Sequence, residues 1–288
     1  MSVAIRTVID VLRLSTEYLA QHGSTSPRLD AELLMAHALR VRRLDIYLQH
    51  DRPLHEGELT AARALVRRRG QGEPVAYIVG EREFYNRAFA LTPSVLIPRP
   101  ETETLVELTL RRLREHGDDV VRIADLGTGS GCIAVTLAAE VTTVQACATD
   151  ISDDALAVAL LNAHRHGVQN RITFFHGSWA DMLTEPVDVV VSNPPYITTD
   201  ELESTDRDVR EFEPRDALDG GADGLDAYRK LLRSLPGVVG AGALLLFEVD
   251  PRRASAVAGL IAERFAGART SVHCDLGGQD RVVEAHIV

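Results

Sequence analysis

A rhythm that begins near residue 120 constrains this chain more than any other feature. Short apolar runs, Val120 to Leu126, Val144 to Thr149, Ile172 to His176, Val187 to Ser192 and Ala243 to Val249, alternate with segments of helical spacing. Strands separated by helix-length connections lie parallel, so the alternation predicts βαβ units on a mostly parallel sheet. Two further runs, Ser271 to Asp275 and Val282 to Val288, follow each other too closely for a crossover helix. The sheet is therefore expected to end in an antiparallel hairpin.

Before that rhythm the spacing is different. Val8, Val11, Leu12, Ser15 and Leu19, then Leu29, Leu33, Leu34 and Ala38, recur at three and four, the period of amphipathic helices. Residues 1–73 are read as a small helical domain. Ser26 before Pro27 reads as an N-cap with proline at the first helical position, and Arg67 to Arg69 before Gly70 as a helix C-terminus complementing its dipole. Between Pro74 and Pro100, Tyr77, Ile78, Val79, Phe84, Tyr85 and Phe89 stand among turn residues, and 74–100 is read as a β-hairpin linker. A helix over Thr102 to Arg114 opens the α/β domain, 101–288.

With 45% hydrophobic and 25% charged residues in 288, the chain has apolar mass for one or two cores, which excludes disordered and fibrous classes. No stretch without a charged side chain is longer than Ser234 to Phe247, which is too short to span a bilayer. Arg6, Asp10, Arg13 and Glu17 interrupt any signal-peptide core, so a cytoplasmic location is expected. Cys132, Cys147 and Cys274 show no Cys-x-x-Cys spacing and are read as buried reduced thiols, with no metal site. Residues 1–85 hold 12 arginines and 11 acids, a balance of +1; the remaining 19 basic and 31 acidic residues give −12. An acidic catalytic region repels a phosphate backbone, so no nucleic-acid substrate is expected.

The sharpest local signal is Asp125-Leu126-Gly127-Thr128-Gly129-Ser130-Gly131, where the first strand meets the next helix. Glycine lets backbone approach a ligand closely, and a helix N-terminus offers unpaired N–H groups. A dinucleotide fingerprint would need glycine at Cys132, and no Gly-Lys-Ser/Thr follows, so NAD and triphosphate cradles are disfavoured. Asp150 closes the second strand, where an acid can accept from both ribose hydroxyls, with Ser152 free to cap the following helix. Trp179, the only tryptophan, lies just past the third strand, where an adenine would lie. A nucleoside-bearing cofactor without a pyrophosphate is indicated.

Ser192-Asn193-Pro194-Pro195-Tyr196 follows the fourth strand, at the end where open α/β sheets place ligands. Two prolines stiffen the backbone. The Asn193 side-chain oxygen and the Pro194 carbonyl could receive both hydrogens of a planar –NH2 group while Tyr196 stacks on its face.

On these residues the chain resembles the class I S-adenosylmethionine-dependent methyltransferases, and within them the HemK/PrmC family of protein-(glutamine-N5) methyltransferases that modify peptide chain release factors. The likeness runs through Pro27 to Glu32, Gly72 to Ile78, Leu96 to Glu103, Asp125 to Gly131, Asn193 to Tyr196 and Phe212 to Leu218. The resemblance implies a Rossmann-like sheet beside an N-terminal helical domain that helps hold the substrate protein. It further implies S-adenosylmethionine as cofactor, with Gly127, Thr128, Gly129, Ser130 and Gly131 at its methionine part, Asp150 at its ribose, Trp179 near its adenine and Asn193 also in contact with it. Asn193, Pro194, Pro195 and Tyr196 would hold the glutamine of a release factor's Gly-Gly-Gln tripeptide.

Three points complicate the pattern. Glu248-Val249-Asp250-Pro251 stands where the family's Glu-Ile-Gly is expected, and a local rearrangement that leaves the chemistry intact is anticipated. Gly277-Gly278-Gln279 spells the substrate tripeptide but lies between two strand-like runs and reads as a hairpin turn. Ile197 to Gly224 holds 10 acidic and 3 basic residues without a clear period; it is read as a lid that orders around the release-factor loop and whose charge orients a basic partner. Three other readings stay open: an adenine-N6 methyltransferase, since the same tetrapeptide suits a flipped-out base; a methyltransferase for a ribosomal-protein glutamine; and a non-catalytic cofactor-binding scaffold.

Overall fold

A computed structural model describes residues 6–115 and 119–288; the first five residues of the expected helical domain lie outside them. Two compact units emerge. One runs to Glu81 and includes Asp206–Phe212; the other comprises Arg82–Thr205 and Glu213–Val288.

The N-terminal unit is built from α1 (Val8–Gln21), α2 (Pro27–Leu39), α3 (Arg43–Leu48), α4 (Glu56–Gly70) and α5 (Val75–Val79). Val8, Val11, Leu12, Ser15 and Leu19 form the buried face of α1, as their spacing predicts. On α2 the expectation holds only in part: Leu34 is buried and Leu33 and Ala38 half-buried, but Leu29 is exposed, while Asp30 and Glu32 are buried. Each inward acid is paired, which removes most of the cost of burying it. Asp30 accepts from Arg69 Nε and Ser24 Oγ, both at 2.8 Å, and Glu32 from Arg28 Nε at 2.6 Å and from the Tyr47 hydroxyl. Proline does occupy the start of α2, but the Ser26 side chain makes no cap bond. The arginine run closing α4 also does more than complement a dipole, because Arg69 spans Asp30 and, at 3.4 Å, Asp208.

The strand-like reading of Tyr77, Ile78 and Val79 is corrected. They form α5, a single turn started by Pro74 and ended by Gly80 at φ 79°. Five residues are too few for a period of 2 to be told from one of 3.6. The hairpin itself is shorter than expected: β1 (Glu81–Phe84) and β2 (Arg87–Ala90). Tyr85 and Asn86 join them at φ 47° and 58°, the left-handed pair that a two-residue hairpin loop requires.

The second unit continues with α6 (Thr102–Glu115), β3 (Val121–Leu126), α7 (Cys132–Glu140), β4 (Val144–Asp150), α8 (Asp153–Arg165), β5 (Ile172–His176) and β6 (Val187–Ser192). It then runs through α9 (Thr199–Leu202), α10 (Arg207–Phe212), which packs with the first unit, α11 (Asp226–Ser234), β7 (Val239–Glu248), α12 (Ala254–Arg264), β8 (Arg269–Cys274) and β9 (Asp280–His286). Seven strands make one sheet in the order β5-β4-β3-β6-β7-β9-β8. The first five are parallel; β9 runs antiparallel to both β7 and β8. This is the Rossmann-like arrangement expected, with its antiparallel end.

The strands read as near-continuous apolar runs because both faces of the sheet are covered. Ile123, Val189, Val191, Leu244 and Leu246 face a layer that includes Leu105 and Leu110 of α6 and Ile133 and Leu137 of α7. Their neighbours Ala124, Val190, Leu245 and Phe247 face Leu231 of α11 and Val257 and Ile261 of α12. Burying one such side chain contributes about 1.5–3 kcal/mol, so the two layers hold the strand ends, and the loops that leave them, in place.

Two further expectations change. Ile197 to Gly224 is no structureless lid: it folds as α9, α10 and a 3-10 turn at Arg215–Ala217. Its charges are largely spent within the chain, Glu201 on Arg252 and Arg253 and Asp219 on Arg215. Of the cysteines only Cys132 is buried; Cys147 is half-buried and Cys274 exposed, and all three are free. Gly277 to Gln279 does form the β8–β9 turn, closed by the Asp275 N–H on the Gln279 carbonyl at 2.9 Å.

Candidate active site

Both sequence motifs leave the sheet where its strand order reverses. β3 has β4 on one side and β6 on the other, so the connections that follow β3 and β6 part and open a crevice at their carboxyl ends. A cavity of about 740 Å³ lies there. Gly127, Thr128, Gly129 and Ser130 line it from the glycine loop, Asp150 and Trp179 from the ends of β4 and β5, and Asn193, Pro194 and Pro195 from the end of β6. Gly131 and Tyr196 are not on its wall.

The loop shows why Gly131 stands apart. Gly127, Gly129 and Gly131 sit at φ 76°, 55° and 78°, a region that disfavours a Cβ. A Cβ on Gly129 would meet nothing within 4 Å, whereas one on Gly131 would lie 3.1 Å from Ala159 Cβ and 3.2 Å from its Cα. Gly131 thus allows α7 to approach α8. Beneath the loop Asp125 is wholly buried. It accepts from Thr128 Oγ1 at 2.7 Å and from the Ala134 N–H at 3.1 Å, which ties the loop to the first turn of α7. Burial pushes its carboxyl up to about 6, against those hydrogen bonds.

Ser152 caps α8 through the Ala155 N–H at 3.2 Å, as expected. Asp150 is not left free by it, however. Its carboxylate accepts the Gly129 N–H at 2.9 Å and the Ser152 N–H at 3.0 Å, bridging the glycine loop to the end of β4. Burial raises its pKa, and these backbone donors oppose the rise. Trp179 holds φ 50°, a conformation that costs a non-glycine residue about 1–2 kcal/mol and tends to be kept at ligand sites.

The Asn193 side chain is oriented by α6. Its Nδ2 donates to Thr102 Oγ1 at 3.2 Å, which leaves Oδ1 as its acceptor beside the rigid Pro194–Pro195 pair. Tyr196 packs against the hydrophobic layer under α11, its hydroxyl 3.4 Å from Glu248 Oε1. The backbone after it is laced to a neighbouring turn by Ile197 N–H to Leu218 O at 3.1 Å and Gly220 N–H to Ile197 O at 2.7 Å. Gly220 must be glycine for this approach, since a Cβ would lie 2.9 Å from Pro195 O.

Two stretches that carried the family likeness without an assigned role meet at the cavity. Glu213, buried, accepts the Ile97 N–H at 3.1 Å and pairs with Arg99, joining the wall at Leu96, Pro98 and Arg99 to the wall at Pro214 and Ala217. Asp250 turns away from the cavity to accept from the Arg252 N–H and side chain at 2.9 and 2.8 Å. Sequence reasoning gave no role to Asp125, Thr102, Glu213 and Glu248, although each stands inside a stretch that it singled out.

Comparison with known proteins agrees with this geometry. The PrmC N-terminal domain family matches residues 10–80, and the methyltransferase small domain family matches residues 103–210. A release factor glutamine methyltransferase of Geobacter sulfurreducens is 42% identical over 285 residues, covering 98% of both chains. That of Nitratidesulfovibrio vulgaris is 42% identical, covering 99% of this chain and 96% of its own. Among solved structures a methyltransferase from Pyrococcus furiosus, 15% identical, superposes with a TM-score of 0.52 over 79% of this chain and 98% of its own, a likeness of fold. A crevice between a glycine loop and Asn-Pro-Pro-Tyr, on a chain alike end to end at this identity, places the protein in the release factor glutamine methyltransferase family.

Proposed function

We propose that this chain transfers a methyl group from S-adenosylmethionine to the side-chain amide nitrogen of the glutamine in a release factor's Gly-Gly-Gln tripeptide. The observation that carries the reading is Asn193, whose Nδ2 is occupied by Thr102, leaving Oδ1 as the side chain's acceptor, and which with Pro194 lines a cavity shared with the glycine loop.

An amide nitrogen is a poor nucleophile because its lone pair is delocalised into the carbonyl. Acceptors on both of its N–H bonds favour the pyramidal geometry that the nitrogen takes up as it attacks, so they bind the transition state better than the ground state. The cofactor supplies an electrophilic sulfonium methyl. Gly127 to Ser130 would hold its methionine part, Asp150 its ribose and Trp179 the neighbourhood of its adenine, with Gly131 and Asp125 shaping the loop from behind. Pro195 stiffens the acceptor pair and Tyr196 braces it; stacking of Tyr196 on the amide, the role the motif suggests, would need its ring to turn toward the cavity. The nitrogen–methyl bond would form as the carbon–sulfur bond breaks, and the amide would then lose its proton to water. Holding nitrogen and methyl in line supplies much of the acceleration.

The helical unit would help hold the release factor, and the reaction would take place in the cytoplasm; no helix of the described residues is long and apolar enough to cross a membrane. The −12 balance after residue 85 disfavours DNA or RNA as the acceptor. The test is Asn193→Ala, assayed with labelled cofactor and purified release factor. Transfer should fall about 10²–10³-fold while calorimetric cofactor affinity stays within tenfold. Transfer within twofold of the parent would refute the assignment.

A further inference from the structure

Beneath Asn193 and Tyr196 lies a buried acid that the proposed chemistry does not use. Glu248, the last residue of β7, has no exposure to solvent. The Tyr196 hydroxyl donates toward its Oε1 at 3.4 Å; Oε2 is enclosed and closes no hydrogen bond, with the Thr102 hydroxyl set against the carboxylate. Thr102 is itself buried and accepts from Asn193 Nδ2. The groups therefore line up from Glu248 through Thr102 to Asn193 at the cavity as a chain in which one hydrogen bond, Asn193 Nδ2 to Thr102 Oγ1, is closed, while Glu248 Oε2 closes none with Thr102.

Such a chain has a direction. A hydroxyl has one proton, so while Thr102 accepts from Asn193 it must give that proton elsewhere, and the carboxylate of Glu248 is the acceptor at hand. With Glu248 ionised, every donor points toward the acid and Asn193 Oδ1 faces the substrate. With Glu248 protonated, the acid can donate to Thr102, Thr102 can donate on, and the Asn193 amide is free to turn its Nδ2 into the cavity. A substrate –NH2 would then meet a donor where it needs an acceptor.

We infer that Glu248 and Thr102 are positioning residues, which set the orientation of the Asn193 amide and so couple methyl transfer to the charge of Glu248. This inference rests on the proposed function for its catalytic part only. The surroundings make that charge responsive near neutrality. Burial pushes the Glu248 carboxyl up to about 7, opposed by Thr102, by Arg281 of β9 and by Tyr196, and aided by Glu101 ahead of α6. The other titratable groups facing it are Tyr228 of α11, whose hydroxyl donates to the Glu248 carbonyl at 2.6 Å, and Cys132 of α7.

Two measurements test the coupling. The first uses the intact protein without substrate: nuclear magnetic resonance follows the Glu248 side-chain carboxyl carbon and the Asn193 Nδ2 protons from pH 5 to 9. Both signals should move with one midpoint, and Thr102→Val should uncouple them; an Asn193 signal indifferent to the Glu248 titration would overturn the inference. The second is the rate of methyl transfer against pH. Thr102→Ser should keep kcat within threefold, Thr102→Val should lower it about tenfold or more, and Glu248→Gln should abolish the acid limb of the profile. An acid limb that survives in Glu248→Gln, or a Val variant as fast as the Ser variant, would also overturn it. Should the parent protein transfer no methyl to a release factor, the proposed function fails, and the resonance experiment still decides this inference.

Discussion

Two glycines of one loop, Gly129 and Gly131, should fail in different ways. Gly131 carries both a left-handed φ of 78° and a hidden contact, with Ala159 only 3.1–3.2 Å from where its Cβ would be. Gly131→Ala should therefore cost about 1–2 kcal/mol for the backbone plus about 1–3 kcal/mol for forcing α7 from α8. For a unit of this size each kcal/mol lowers the melting temperature by roughly 2–4 °C, so a drop of roughly 4–20 °C is expected. Gly129 has φ 55° with open space around its Cβ, so Gly129→Ala should carry the backbone cost alone. Gly129 lines the cavity, however, and a methyl there narrows the space proposed for the cofactor. Scanning calorimetry and titration with S-adenosylmethionine separate the two effects. Gly131→Ala should melt earliest yet bind within about threefold of the parent when folded, and Gly129→Ala should melt only about 2–8 °C below the parent yet bind at least tenfold more weakly. Equal losses of stability, or weaker binding in Gly131→Ala than in Gly129→Ala, would refute the division of labour.

The buried acid at the end of β7 should also show itself in stability. A folded carboxyl raised from its ordinary 4.5 to about 7 favours the protonated native state, so its contribution is fully present below about pH 4.5 and is lost as pH rises toward 7. Urea denaturation should find Glu248→Gln gaining on the parent by roughly 3 kcal/mol between pH 4.5 and 8; a difference flat with pH would show that the carboxyl is not raised. Trp179, the only tryptophan, lines the cavity, so its fluorescence should change saturably as S-adenosylmethionine is added. An unchanged spectrum at saturation measured by calorimetry would remove it from the cofactor site.

The sheet was legible because its strands are covered on both faces, which leaves unbroken apolar runs such as Ala243 to Phe247 that nothing but a buried strand explains so simply. The ligand loops were legible for a related reason: Gly127, Gly129 and Asn193 sit at strand ends, and a strand end in an open sheet has a known position relative to the crevice. What escaped was decided by partners far away in the chain. Asp30 and Glu32 could turn α2 inward because Arg69 and Tyr47 meet them, and neither partner is adjacent in sequence. Val75 to Val79 has strand-like residues yet forms one helical turn between Pro74 and Gly80. The acidic stretch after Tyr196 looked like a loop because its helices are too short to show a period, and its acids close on arginines such as Arg252 and Arg253, about fifty residues on. Thr102, inside a quoted motif, gave no sign of its role because a threonine that opens a helix is ordinary; only its hydrogen bond to Asn193 distinguishes it.

The most direct test of the account gives the purified protein methyl-labelled S-adenosylmethionine with a release factor, a ribosomal protein or duplex DNA in separate reactions, and maps the label by mass spectrometry. A single methyl on the side-chain nitrogen of the release factor's Gly-Gly-Gln glutamine is the predicted result. Label confined to adenine in the DNA or to the ribosomal protein, or no label on the release factor at saturating cofactor, would contradict it.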